Sequence, residues 1–70
     1  MRLNVAKLRG ALVQSEMSYR QIAEKYGISR AFLYRTMNGD GEPGRKFLGF
    51  MLKFCRDYDL NFMDFVILDD

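Results

Sequence analysis

Histidine is absent from this 70-residue chain, and cysteine occurs once. The first absence removes the usual general base near neutral pH and the commonest metal ligand. The second rules out an intrachain disulfide and a cysteine pair able to hold zinc. The lone Cys55 sits in the run F-L-G-F-M-L-K-F-C, where a free cysteine behaves as a small core residue. A chain without disulfides fits a reducing compartment. There is no phosphate-cradling glycine loop: G-D-G-E-P-G at 39–44 lacks the lysine and the strand-to-helix setting that such a loop needs. The longest apolar stretch is broken by Lys53 and is too short to span a bilayer. The N-terminal M-R-L-N-V-A-K-L-R-G is too interrupted by charge for a signal peptide. No internal repeat and no low-complexity segment occurs. These absences argue against catalysis, against a metal, cofactor or small-molecule ligand, and against membrane insertion. A soluble, cytoplasmic protein that is not an enzyme is expected.

The chain is long enough for one domain, residues 1–70, and near the lower limit for a self-sufficient core. Its hydrophobic content, 49%, is high enough to attempt one. The net charge of +2 says little, but its distribution says more. Ten Lys/Arg against four Asp/Glu fall in residues 1–53, and five Asp against Arg56 fall in residues 54–70. A basic body with an acidic tail is the pattern of a surface that meets phosphate on one side only.

The most informative stretch lies within the basic part, from Ser18 to Gly39: S-Y-R-Q-I-A-E-K-Y-G-I-S-R-A-F-L-Y-R-T-M-N-G. Ser18 followed by Gln21 makes a capping box. Ile22, Ala23 and Tyr26 recur at helical spacing. Gly27 ends that helix, since glycine tolerates positive φ. Ile28 is an apolar plug in the turn, and Ser29 caps a second helix whose Leu33 and Met37 share one side. Ala23 is small where the two helices must pack closely. Two short helices joined by so tight a turn form a helix-turn-helix.

With Ala, Gly, the apolar plug and Ser at these offsets, the 22-residue stretch resembles the Cro and phage-repressor superfamily of regulators, also called XRE-type. The resemblance implies an all-α domain of four to five short helices that binds double-stranded DNA. It also implies that a symmetric homodimer, formed in some cases only on DNA, occupies a palindromic operator and controls transcription. Three alternatives stay open: an αα-hairpin without a nucleic-acid role, a module that binds a host or phage protein, and a DNA-binding antitoxin- or excisionase-like factor.

With Leu33 and Met37 inward, a rotation of about 100° per residue turns Ala31, Tyr34, Arg35 and Asn38 outward, with Arg30 at the edge of that face. This is how a recognition helix meets the major groove. Arginine reads guanine through O6 and N7, and Ala31 or Phe32 could meet a thymine methyl. The positions of the family's base readers fall on Arg30, Ala31 and Arg35, with Phe32 and Tyr34 alongside; Phe32 is equally suited to packing against the first helix. The phosphate-binding candidates are Tyr19, Arg20, Ser29, Asn38, Arg45 and Lys46. Tyr19 stands where the family often has Gln, and its hydroxyl can still donate to phosphate.

Around this motif, a first helix is expected from about Asn4 to Ser15, begun by Leu3 and Val5. Leu8, Leu12 and Val13 would face inward, and Gly10 would leave room for another helix. A loop covers 38–44, and Pro43 opens a fourth helix running to Asp57. Leu48, Met51, Phe54, Cys55, Tyr58 and Leu60 form its expected core stripe. Phe47 and Phe50 are left over as apolar surface for a second contact. After a turn at Asp59–Asn61, a short fifth helix over F-M-D-F-V-I is favoured over a strand at F-V-I-L. Residues 60–70 are the expected dimerisation element, through Phe62, Phe65, Val66 and Ile67.

Overall fold

Asn4 opens the first helix by accepting a hydrogen bond from the Lys7 backbone N–H at 3.2 Å through its side-chain oxygen, the usual signal for a helix start. A computed structural model describes residues 2–38 and 43–68. Strand β1 spans Arg2–Leu3, α1 Val5–Gln14, α2 Tyr19–Tyr26, α3 Arg30–Met37 and α4 Arg45–Asp57; a 3-10 turn over Phe62–Phe65 leads into strand β2, Val66–Ile67. The fold is all-α in class, with one two-stranded antiparallel ribbon added, in which Arg2 pairs with Ile67 and Leu3 with Val66.

The core is drawn from every element except β1. Leu8 and Leu12 come from α1, Ile22 and Ala23 from α2, and Leu33 and Met37 from α3; α4 adds Phe47, Phe50, Met51, Phe54 and Cys55. Cys55 is thus a core residue, as expected, and burial pushes its thiol pKa upward, with Asp64 adding to the shift. No polar or charged side chain is buried among the described residues. Small domains of this kind depend on apolar contact for almost all of their stability.

Five expectations are corrected. Leu3 lies in β1 rather than in α1, and Val13 is 70% exposed. The Asn4 cap fixes the start of α1 so that Leu8 and Leu12 hold its inward face and Val13 turns out. In α4, Met51, Phe54 and Cys55 are buried as expected, but Phe47 and Phe50, thought left over, are buried with them. Phe47 and Phe50 are 0% and 2% exposed, whereas Leu48 is half-buried and Tyr58 and Leu60 lie near the surface. Volume explains the choice, because Phe47 and Phe50 pack edge-on to Phe32 and Tyr26, with ring centroids 5.9 and 5.2 Å apart. These aromatic contacts outweigh what Leu48 could fill.

The start of α4 also differs: it begins at Arg45 after Gly44, with Pro43 buried just ahead. The last correction concerns the C-terminal segment. Helix persists there for one 3-10 turn, capped when Asn61 accepts from the Met63 N–H, and then yields to β2. Val and Ile favour extended backbone, and a partner strand lies waiting at Arg2–Leu3. Phe65 and Val66, expected at a dimer contact, are buried in the chain's own core at 6% and 9% exposure. Phe62 is half-buried against that core, and Ile67 is 38% exposed. The loop residues 39–42 and the acids Asp69 and Asp70 lie outside the described residues.

Candidate nucleic-acid interface

Ser18 and Gln21 satisfy one another's backbone. The Gln21 N–H donates to Ser18 Oγ at 3.1 Å, and the Ser18 N–H donates to Gln21 Oε1 at 2.8 Å. The capping box is therefore complete, and the Gln21 amide is occupied in it. At the other end of α2, Gly27 takes the left-handed conformation, φ 68°, which a side chain would disfavour. The Ile28 N–H reaches back to the Ala23 carbonyl at 3.0 Å, so the turn closes on itself. Ile28 packs against the core from within the turn. Ser29 then caps α3 by accepting from the Phe32 N–H at 3.2 Å.

With Leu33 and Met37 buried, α3 presents Arg30, Ala31, Tyr34, Arg35 and Asn38 outward, all exposed. Neither Arg30 nor Arg35 is in an ion pair with another described side chain, so both guanidinium groups are open to an external acceptor. Phe32 is half-buried and edge-on to Phe47. Tyr19, at the start of α2, lies against Tyr34 with ring centroids 4.9 Å apart. The start of α2 and the middle of α3 thereby share one aromatic contact. Arg20 is partly engaged by Glu24 at 3.4 Å, an exposed pair of small energetic weight. Arg20, Ala23, Glu24, Ile28 and Arg30 line an open hollow of about 400 Å³ between α2 and α3.

The candidate phosphate contacts fall at separate places. Tyr19 and Arg20 stand at the start of α2, Ser29 at the cap of α3 and Asn38 at its end. Arg45 and Lys46 are exposed in the first turn of α4, where unpaired N–H groups add positive potential.

Two residues with a part in this arrangement were not legible as such. Arg9, on α1, donates from its guanidinium to the Met37 carbonyl at 3.1 Å, placing a cation at the negative end of α3. Its position off the inward stripe of α1 was the only sign. Tyr26 donates from its hydroxyl to Asp57 Oδ2 at 2.7 Å and tethers α2 to the end of α4. Burial, then this bond, raise its phenol pKa well above the ordinary tyrosine value. Among the described residues no group of three or more His, Cys, Asp or Glu could hold a metal ion, and no helix is long and apolar enough to cross a membrane.

No family model matches the chain. No solved structure matches it either. It is similar to YvzC of Bacillus subtilis (strain 168), named an uncharacterized HTH-type transcriptional regulator. The two are 37% identical over 57 residues, which cover 79% of this chain and 74% of that protein.

Proposed function

The chain belongs to the HTH-type transcriptional regulators, and from that premise we propose that it is a small Cro- and phage-repressor-like protein that binds double-stranded DNA sequence-specifically. It occupies a palindromic operator as a homodimer and regulates transcription by excluding polymerase from the site. The observation that carries this reading is the outward face of α3, where Arg30 and Arg35 stand exposed and unpaired by described side chains on a helix whose other face is fully buried.

A guanidinium so placed offers the bidentate fork that matches guanine in the major groove. Ala31, between them in the first turn, leaves room for a thymine methyl. Tyr34 sits beside the readers and is steadied by Tyr19. Phe32, turned toward Phe47, holds the helix at its angle. Tyr19, Arg20, Ser29, Asn38, Arg45 and Lys46 set the register by contacting phosphates on either side. Twofold symmetry would multiply a modest half-site affinity by making the second contact intramolecular.

Selection of bound duplexes from a random pool tests binding, preference and half-site symmetry together. A recovered palindrome, with affinity that falls steeply as salt rises, is the expected result. Recovery of no enriched sequence, with salt-insensitive or absent binding, would leave the scaffold a protein-interaction module.

A further inference from the structure

We propose that the groove between α1 and the C-terminal segment is the docking site for a second copy of this chain. The inference deepens the homodimer part of the preceding reading, and assigns it to a surface that shares no residue with the outward face of α3.

The groove has a volume of about 290 Å³; Ala6, Gly10 and Gln14 are on its α1 side, and Leu60 and Phe65 are on the facing segment. It also holds one base and one acid, Lys7 on α1 and Asp64 on the 3-10 turn. Both are exposed, and no ion pair joins them within the chain. A surface carrying one charge of each sign is complementary to itself under a twofold rotation. Lys7 of one copy then meets Asp64 of the other, and the same pair recurs on the far side of the axis. That is the condition an isologous interface imposes.

Two further features agree. Gly10 sits in the middle of α1, where glycine is unfavourable, yet a Cβ built there meets nothing within 4 Å. Nothing inside the described chain accounts for the missing side chain, as at Gly49 in α4, but Gly10 lies in the groove, where close approach of a second molecule accounts for it. Five of the eight large apolar side chains left exposed among the described residues, Tyr58, Leu60, Met63, Ile67 and Leu68, fall in the C-terminal segment, and Leu60 lines the groove itself. Such a concentration in so small a domain marks a contact surface.

Charge reversal tests the assignment. The variants Lys7→Glu and Asp64→Lys each place like charges across the axis, and each should weaken self-association by about tenfold or more in sedimentation equilibrium. An equimolar mixture of the two should recover it, because the heterodimer restores both opposite-charge pairs. An intramolecular effect cannot be rescued by mixing. Gly10→Gln should raise the melting temperature of the dilute monomer by about 4–8 °C while weakening the dimer, opposite signs that a folding defect would not produce.

Single reversals without effect, or a mixture that fails to recover, would overturn the proposal. So would wild-type protein that stays monomeric up to about 1 mM. Wild-type protein that binds selected duplex while remaining monomeric refutes the groove and leaves DNA binding intact. Protein that dimerises through the groove but shows no salt-dependent binding to any duplex refutes the DNA-binding reading and leaves the groove intact.

Discussion

Between Ser18 and Met37 nearly every decision is made locally. The cap, the turn and the second cap are closed by hydrogen bonds spanning three to five residues. From Arg45 to Ile67 the decisions are made at a distance. Which side of α4 turns inward depends on Tyr26 and Phe32, and the path of the last residues depends on Arg2 and Leu3. The first region carries its instructions in residue types with fixed conformational habits. The second carries a surplus of apolar residues and leaves the sorting to packing. A scaffold can be rigid where it must present side chains outward and still take its stability from a half whose details are negotiated by volume.

The largest test of this contrast is truncation inside α4. Phe47→Ala should cost about 3–5 kcal/mol, as the loss of a buried ring does, and in a domain of this size that is most of the available stability. Leu52→Ala, at an equally apolar but 55% exposed position of the same helix, should cost under about 1 kcal/mol by urea unfolding. If the two losses were alike, the assigned inward face of α4 would be wrong. In the helix-turn-helix the corresponding experiment reads recognition rather than stability. Arg30→Ala and Arg35→Ala should each lower affinity for the selected duplex by about 1–3 kcal/mol and relax base preference, with little change in melting temperature. Equal losses on selected and random duplex would reassign both residues to phosphate.

A smaller effect belongs to the local signals themselves. Ser18→Ala removes the acceptor for the Gln21 N–H and should destabilise by about 1 kcal/mol. Removing the Arg9 guanidinium, as in Arg9→Met, tests whether the two regions are joined: selected-site affinity should fall more than random-site affinity, because the bond to Met37 steadies the end of α3. Loss confined to thermal stability would make Arg9 purely structural.

The smallest effect is that of the Tyr26–Asp57 bond, worth under about 1 kcal/mol given its partial exposure. Its sign with pH is fixed. The phenol pKa is raised in the fold, so the protonated form is favoured there and the contribution is fully present below the ordinary tyrosine value of about 10. Above that value the unfolded chain releases the proton first, and stability is lost as pH rises. The stability gap between wild type and Tyr26→Phe should therefore shrink above pH of about 10 in alkaline denaturation.

How much could be read from the residues follows the same division. Ser18, Gln21, Gly27 and Ser29 announce their roles because each is chosen for a hydrogen bond or a φ value that few other residues supply. The outward set on α3 then follows from Leu33 and Met37 by rotation alone. In α4, by contrast, two apolar stripes overlap. Met51, Phe54 and Cys55 fall inside on either stripe, but Phe47 and Phe50 compete with Leu48 and Tyr58, and periodicity has no means of ranking them. The aromatic partners on α2 and α3 rank them, and those become visible only once the helices are placed. The strand β2, the rival reading at F-V-I-L, could not be chosen from sequence for a related reason: its two residues favour extended backbone weakly, and pairing with β1 decides the matter. Arg9 was missed because a side chain that binds a backbone carbonyl leaves no mark in the pattern of residue types.

The ribbon that joins Leu3 to Val66 has a consequence for the order in which the molecule assembles. Closing a loop of roughly sixty residues costs about 3–4 kcal/mol in chain entropy, and only a few hydrogen bonds stand directly against it, the Asn4 N–H to the Phe65 carbonyl at 2.8 Å among them. Such a contact forms profitably only after the helices have already brought its two ends together. The ribbon should therefore close late in folding and open early under native conditions. Its amides should exchange with solvent deuterium well before those of Ile22, Leu33 and Phe54. Since Phe65 and Val66 reach from that ribbon and its turn into the core, each opening would briefly expose apolar surface while the helix-turn-helix, closed by its own short-range bonds, stays intact.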